Sequence, residues 1–235
     1  MRGTRFLLVG MLAASSVVSA AQDAATAPAA PVAAPAEAPT VQACELHVWP
    51  GRGFHTVYYG WAHGGTIDGA QKGRKGYPAI PDEPLSPEIQ RGELVKLDIP
   101  AILGLTGYRT VLHDQVLSGT AIRSTPGRQI ADSAPCYAEL MIDDIVFQNN
   151  VINGKWLNVI FRFRQFEESA AAPVGSYGTY VLSRVMKFPP DPDTDPQPGL
   201  DELHAAFSQS VTEFGKQYAA YRKRNGKKKG ASITL

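Results

Sequence analysis

YAELMIDDIVFQNNVINGKWLNVIFRFRQF, residues Tyr137–Phe166, is the stretch that decides the fold. Two runs rich in β-branched and aromatic residues flank Asn153-Gly154, the pair favoured in the type I′ turn of a β-hairpin. A two-residue turn there sets Ile152 opposite Lys155, Val146 opposite Phe161 and Phe147 opposite Ile160. It also sets Asp143 opposite Arg164, an opposite-charge cross-strand pair. The same register places Asp144 against Phe163, on the face of Leu157, Val159 and Phe161, where an unpartnered acid is costly. The apolar positions change parity from Leu140 and Ile142 to Ile145 and Phe147, so a β-bulge at Asp143-Asp144 that turns the acid outward is expected.

The rest of the body arranges itself around this hairpin. Cys44–Trp49 reads as a strand stopped by Pro50-Gly51, and residues 51–87 as a long irregular excursion rich in Gly, Pro, Tyr and Trp. Ser86 and Pro87 supply an N-cap and a first helical residue, with Ile89, Leu94, Leu97 and Ile99 toward the buried side. Pro100 interrupts that segment, Ala101–Leu105 resumes it and Gly107 ends it. Tyr108–Leu117 and Ser176–Phe188 read as further strands, the latter ended by the Pro/Asp run 189–198. Leu203, Phe207, Val211, Phe214, Tyr218 and Tyr221 recur in steps of three and four, the stripe of an amphipathic helix. Asp201 and Glu202 fall in its expected first turn, Arg222, Lys223 and Arg224 at its end, and Asn225-Gly226 as terminator. The expected fold is therefore α+β: a mostly antiparallel sheet with a long hairpin and a C-terminal amphipathic helix packed on one face.

Outside the body, Arg2 and Arg5 precede an apolar run, Phe6–Val18, and small residues at Val18-Ser19-Ala20. This is the pattern of a signal peptide cleaved after Ala20, and the run is too short for the roughly 20 residues of a membrane span. A lipid-accepting Cys would follow the apolar run directly, whereas the first Cys is Cys44. Residues 21–40 are a Pro/Ala-rich linker, 41–221 a single α+β domain, and 222–235 a basic tail read as disordered. Cys44 and Cys136 then meet an oxidising compartment and are expected to be disulfide-bonded, since neither has a second Cys at metal or CxxC spacing. The chain carries a formal net charge of +1. Removing the leader arginines and setting the six cations of Arg222–Lys229 aside leaves an acidic body, which does not suit a nucleic-acid binder.

Candidate chemistry is sparse. His47, His55 and His63, interleaved with Trp49, Tyr58, Tyr59 and Trp61, could converge on zinc or copper. Steps of eight match no common ligand motif, and scattered loop and edge histidines among packing aromatics is the favoured reading. The segment 51–77 could instead present a ligand-binding or partner-binding surface, as conspicuous loops do. No GxSxG elbow exists, since Gly175-Ser176-Tyr177-Gly178 lacks the order, and His113-Asp114 as strand neighbours would point to opposite faces. Gly51-Arg52-Gly53 has Thr56 where a dinucleotide fingerprint needs its third Gly, and no P-loop occurs. Lys72, Arg74 and Lys75 read as a solvated loop. Asp143-Asp144 could hold a divalent cation, but ion pairing is the better reading. No cofactor is expected.

The order of elements resembles the α/β domain of curli-assembly-type outer-membrane proteins and their periplasmic relatives. The likeness runs through Leu46–Pro50, a helical segment, the strand of Gly107-Tyr108-Arg109-Thr110-Val111-Leu112, the long hairpin and the last helix. It implies envelope assembly or secretion through protein contacts, with no catalytic residues to carry over. This sequence departs from that family in lacking the lipid-accepting Cys and in its long insertion at 51–77. The first functional expectation is a non-enzymatic periplasmic protein of a Gram-negative bacterium that binds an envelope partner, with no transmembrane segment after leader cleavage. A metal-binding protein using His47, His55 and His63 comes second, and a hydrolase with an unrecognised site third.

Overall fold

The computed structural model describes residues 44–59, 66–67, 80–168 and 170–231. Its spine is the expected hairpin, formed by β5 (Tyr137–Asn150) and β6 (Gly154–Phe166) and continued antiparallel into β7 (Gly175–Arg184). The bulge lies where the change of parity put it: Ile142 pairs Phe161, Asp144 pairs Ile160, and Asp143 is the extra residue between them. Below and above it, Leu140, Ile142, Ile145 and Phe147 all enter one core.

The turn departs from expectation. Asn150 pairs Gly154 across a three-residue loop, Val151–Asn153. The Asn150 side chain closes that loop by accepting the N–H groups of Ile152 and Asn153 at 2.9 Å each, an Asx turn that outcompetes the two-residue alternative. Gly154 takes the left-handed φ of 84° that this longer loop needs at its exit. The register slides accordingly. Val146 faces Asn158 and Phe147 faces Leu157, while Arg164 lies opposite Glu139 and not Asp143.

The other edge of β5 is shared by two strands in series. Strand β1 (Cys44–Trp49) pairs parallel with its first half, from Glu45 opposite Tyr137 to Trp49 opposite Met141. After Pro50–Phe54, β2 (His55–Tyr59) pairs parallel with the second half, from His55 opposite Val146 to Tyr59 opposite Asn150. Two-residue β3 (Thr66–Ile67) adds antiparallel to β2, and β4 (Tyr108–Leu112) lies parallel on the far side of β1. The sheet of seven strands is thus mixed: the meander is antiparallel, but the N-terminal strands join it in parallel. The excursion expected over 51–87 contains β2 and β3, and β4 stops at Leu112, short of the expected Leu117.

Helices cover one face. Ser86 caps α1 (Pro87–Leu94) by accepting from Ile89 N–H, as expected. Pro100 does not interrupt a helix; it sits in the first turn of a second one, α2 (Ile99–Leu103), capped by Asp98 and ended by Gly104 in the left-handed region. The last helix, α4 (Gln197–Ala231), buries Leu203, Phe207, Val211, Phe214 and Tyr218 against the sheet. Where it crosses α2, a Cβ on Gly215 would lie 2.5 Å from the Ile102 carbonyl oxygen, so only glycine allows this approach. Two details of α4 differ from expectation. It begins at Gln197, which moves Asp201 and Glu202 beyond the first turn, and Glu202 instead accepts the N–H groups of Met186, Lys187 and Phe188. It also passes through Asn225-Gly226 to Ala231, so part of the expected basic tail is helical.

The opposite face is half covered. The segment 113–135, with the unforeseen α3 (Gly119–Ser124), lies over its β1 end and builds a small second core from Trp49, Ile122, Tyr137, Met141 and Phe166. The bond between Cys44 and Cys136, 92 positions apart, joins the starts of β1 and β5.

Candidate binding surface

Alternation along β1 sends Leu46 and Val48 toward the helices and Glu45, His47 and Trp49 toward the second core. His47 is consumed there. Its Nδ1 lies 2.8 Å from His113 Nε2 and its Nε2 3.0 Å from Glu45 Oε2. One proton arrangement satisfies both contacts with neutral rings: His113 Nε2–H donates to His47 Nδ1, and His47 Nε2–H donates to Glu45. Glu45 also accepts from Ala134 N–H at 3.3 Å and pairs with Arg109. The His47 hydrogen bond, with Ala134 and Arg109 adding to it and burial opposing, holds the Glu45 carboxyl below its usual range. His113, stacked on Trp49 with centroids 4.2 Å apart, is pushed down by burial and by His47. His113 and Asp114 fall in a loop, not a strand; Asp114 pairs with Arg91.

His55 does not extend this cluster. On β2, His55 Nδ1 lies 3.4 Å from Asp144 Oδ1 of β5. His63 lies outside the described residues, as do Lys72, Arg74 and Lys75. Among the described residues no group of three or more His, Cys, Asp or Glu side chains could hold a metal ion.

Asp143 forms ion pairs, but with partners other than the expected Arg164. The bulged Asp143, its side chain 6% exposed, sits between Arg162 Nε at 2.8 Å and Arg123 Nη1 at 3.2 Å. Asp144 turns toward His55 and accepts its neighbour's N–H, that of Ile145, at 3.0 Å. Arg164 meets the fully buried Glu139 instead, with Nε 2.7 Å and Nη2 2.6 Å from Oε2. Gln129 N–H supplies the other carboxylate oxygen at 2.6 Å. Burial and the nearby Glu139 charge push the Tyr137 hydroxyl well above its usual range. These groups answer one another, and their arrangement fastens the 113–135 segment to the sheet.

What remains is the half of the second face that no described segment covers. The register sets Tyr180 beside Ile160, Leu182 beside Asn158 and Arg184 beside Trp156 on that side. Tyr180 is 59% exposed and Leu182 46%, and Val151 and Ile152 stand out at the hairpin tip at 65% and 74%. This surface leaves little mark in the sequence, because Tyr177, Val181 and Tyr180, Leu182 are apolar on both phases of the β7 alternation. The part of the 51–77 segment expected to form a binding surface lies largely outside the described residues.

No family model matches the chain, and no curated protein does. Among solved structures it is similar to a Xanthomonas campestris protein assigned to DUF330, at 11% identity, covering 82% of this chain and 90% of that one with a TM-score of 0.37. It is also similar to a neuraminyllactose-binding hemagglutinin homologue from Helicobacter pylori, at 11% identity, 83% and 93% coverage and a TM-score of 0.31. A lipoprotein from Caulobacter crescentus matches at 14% identity, 59% and 83% coverage and a TM-score of 0.28. Likenesses at these scores assign neither fold family nor function.

Proposed function

We propose that this chain is an exported, non-enzymatic binding protein of the Gram-negative cell envelope, acting in the periplasm through protein contacts. The observation that carries the binding role is the open half of the second sheet face, where Tyr180 and Leu182 stand 59% and 46% exposed. Large apolar and aromatic side chains left together in water on a β surface are what a protein partner covers. The compartment rests on the N-terminal leader and on the Cys44–Cys136 bond, which persists where thiols are oxidised. No described helix is long and apolar enough to cross a membrane. The resemblance of element order to curli-assembly-type domains supports a place in envelope assembly or secretion.

The test replaces Tyr180 with a photo-crosslinking amino acid in the exported protein and, as control, replaces the exposed Glu88 on α1. A discrete adduct with an envelope protein is expected from position 180 and not from position 88. Illumination that gives no adduct at 180, or the same adducts at both positions, refutes the binding role.

A further inference from the structure

Strand β7 ends the sheet, and among the described residues it pairs only with β6. One hydrogen bond fixes the phase of that ladder: Val185 N–H donates to the Lys155 carbonyl at 3.1 Å. In an antiparallel pair alternate residues turn both N–H and C=O to the partner strand. Val185, Ser183 and Val181 therefore face β6, and Arg184, Leu182 and Tyr180 turn their peptide groups to the open edge. Natural edges are commonly blunted by shortness, lysine or proline. At ten residues, GSYGTYVLSR, β7 is long, contains no proline, and carries one charge, Arg184, at its last position.

This edge opens into a groove of about 540 Å³ between β7 and α4. Tyr180–Arg184 forms one wall, and Gln209, Glu213 and Gln217 form the other. Steps of four place those three on one stripe of the helix. We propose that the groove takes an extended peptide segment, added to β7 as a further strand, with basic or polar side chains facing α4 and apolar ones at the alternate positions. The proposal rests on the binding role above and names its partner's chemistry. A row of outward N–H and C=O groups is satisfied by another extended backbone, and strand addition between an edge and a helix does this. Side chains of the added strand alternate. Toward α4 they meet the Glu213 carboxylate, engaged among the described residues by the exposed Lys216 at 3.1 Å, the Gln209 amide, and the Gln217 amide, whose oxygen accepts from the Thr179 hydroxyl at 3.3 Å. Away from α4 they lie beside Tyr180 and Leu182.

The test uses the full chain after leader removal and three capped eight-residue peptides. One alternates valine with lysine, one valine with glutamate, and one is the lysine peptide N-methylated at alternate residues. Calorimetry is expected to show saturable binding of the lysine peptide, at least tenfold weaker binding of the glutamate peptide, and none of the methylated one. Leu182→Pro removes an N–H from the open edge and none from the β6 ladder, and it should abolish binding. Glu213→Lys lies on the helix surface and should reverse the charge preference even if the proline variant fails to fold. Absence of binding by any peptide, or binding indifferent to both methylation and Glu213→Lys, overturns the proposal. So does a concentration-dependent dimer lost in Leu182→Pro without peptide binding, which gives the edge to a second copy. Crosslinks at Tyr180 without peptide binding remove this groove and keep the binding role. Peptide binding without crosslinks keeps the groove and removes that role.

Discussion

Gln90 offers the sharpest test of how the sheet is held together. Between β1 and β2 the chain leaves β5, and Gly51 passes so close to the bulge that a Cβ there would lie 2.7 Å from Ile142 Cγ2. Its backbone has lost its strand partner, and the buried Gln90 side chain substitutes for one. Gln90 Oε1 accepts the Gly51 N–H at 2.7 Å, and Nε2 donates to the Leu85 carbonyl at 2.8 Å, with longer contacts to Gly51 and Arg52 carbonyls at 3.3 and 3.4 Å. Gln90→Met keeps the length of the side chain and removes both strong bonds. A buried group left without a partner costs about 1–3 kcal/mol, so the two together predict a loss of about 2–6 kcal/mol. That is a large part of the roughly 5–15 kcal/mol that stabilises a typical domain. In urea unfolding, the midpoint should fall with an unchanged slope. Gln90→Glu adds a signature. A carboxyl in this site is driven neutral by burial, so the folded state binds the extra proton. Its stability is present below the ordinary Glu range of about 4.3 and is lost as pH rises through the raised folded value. A Gln90→Met protein within about 0.5 kcal/mol of wild type, the level of ordinary surface changes, would refute the idea that this side chain stands in for a strand.

Further expectations follow from the same contacts. Replacing both Cys44 and Cys136 by Ser opens a loop of 92 positions and should cost about 4 kcal/mol in the chain-entropy model, read as a lower urea midpoint equal to that of the reduced wild type. Arg164→Met strands the fully buried Glu139 carboxylate and should cost about 3–5 kcal/mol. Adding Glu139→Gln should recover part of it, and a double variant no better than the single would deny that the pair is coupled. Glu45 and His113 are both held below their ordinary values of 4.5 and 6.5, so for each the unfolded chain binds more protons and stability is lost as pH is lowered. The His113 contribution begins to be lost below about pH 6.5 and that of Glu45 below about pH 4.5. Glu45→Gln should flatten the lower part of the midpoint-against-pH curve, and a curve parallel to wild type down to pH 3 would count against the pairing.

The bulge was legible because an extra residue in one strand flips every later side chain, and the apolar residues of β5 record that flip on either side of Asp143. The α4 stripe was legible for a similar reason, one buried face repeated over five turns. The register was not. It depends on whether Asn150 or Asn153-Gly154 closes the hairpin, and both offer good turn chemistry within a few residues. Nor could a sequence pattern reveal that β1 and β2 share one edge of β5, since parallel pairing leaves no local mark and β2 is five residues long. The histidines were tempting because spacing along the chain does not say which partner lies beside each ring. His47 found His113 from 66 positions away, a contact set by the pairing of β1 with β4.

The series arrangement of β1 and β2 along β5 has a consequence for how the molecule comes into being. A polypeptide leaves a ribosome or a translocation channel N-terminus first, so β1 and β2 are the earliest of the described strands to emerge. Their common partner is complete only at Asn150, when 150 of 235 residues are out. The meander of β5, β6 and β7 can then close through short connections, but docking β1 onto β5 closes a long loop and is the slow kind of contact. From Tyr59 until Asn150 the chain therefore carries β1 and β2 with the edges that β5 later fills unsatisfied, a state in which nascent proteins are open to aggregation and to chaperones. Assembly begins in the second half of the sequence, and the first half is recruited to it.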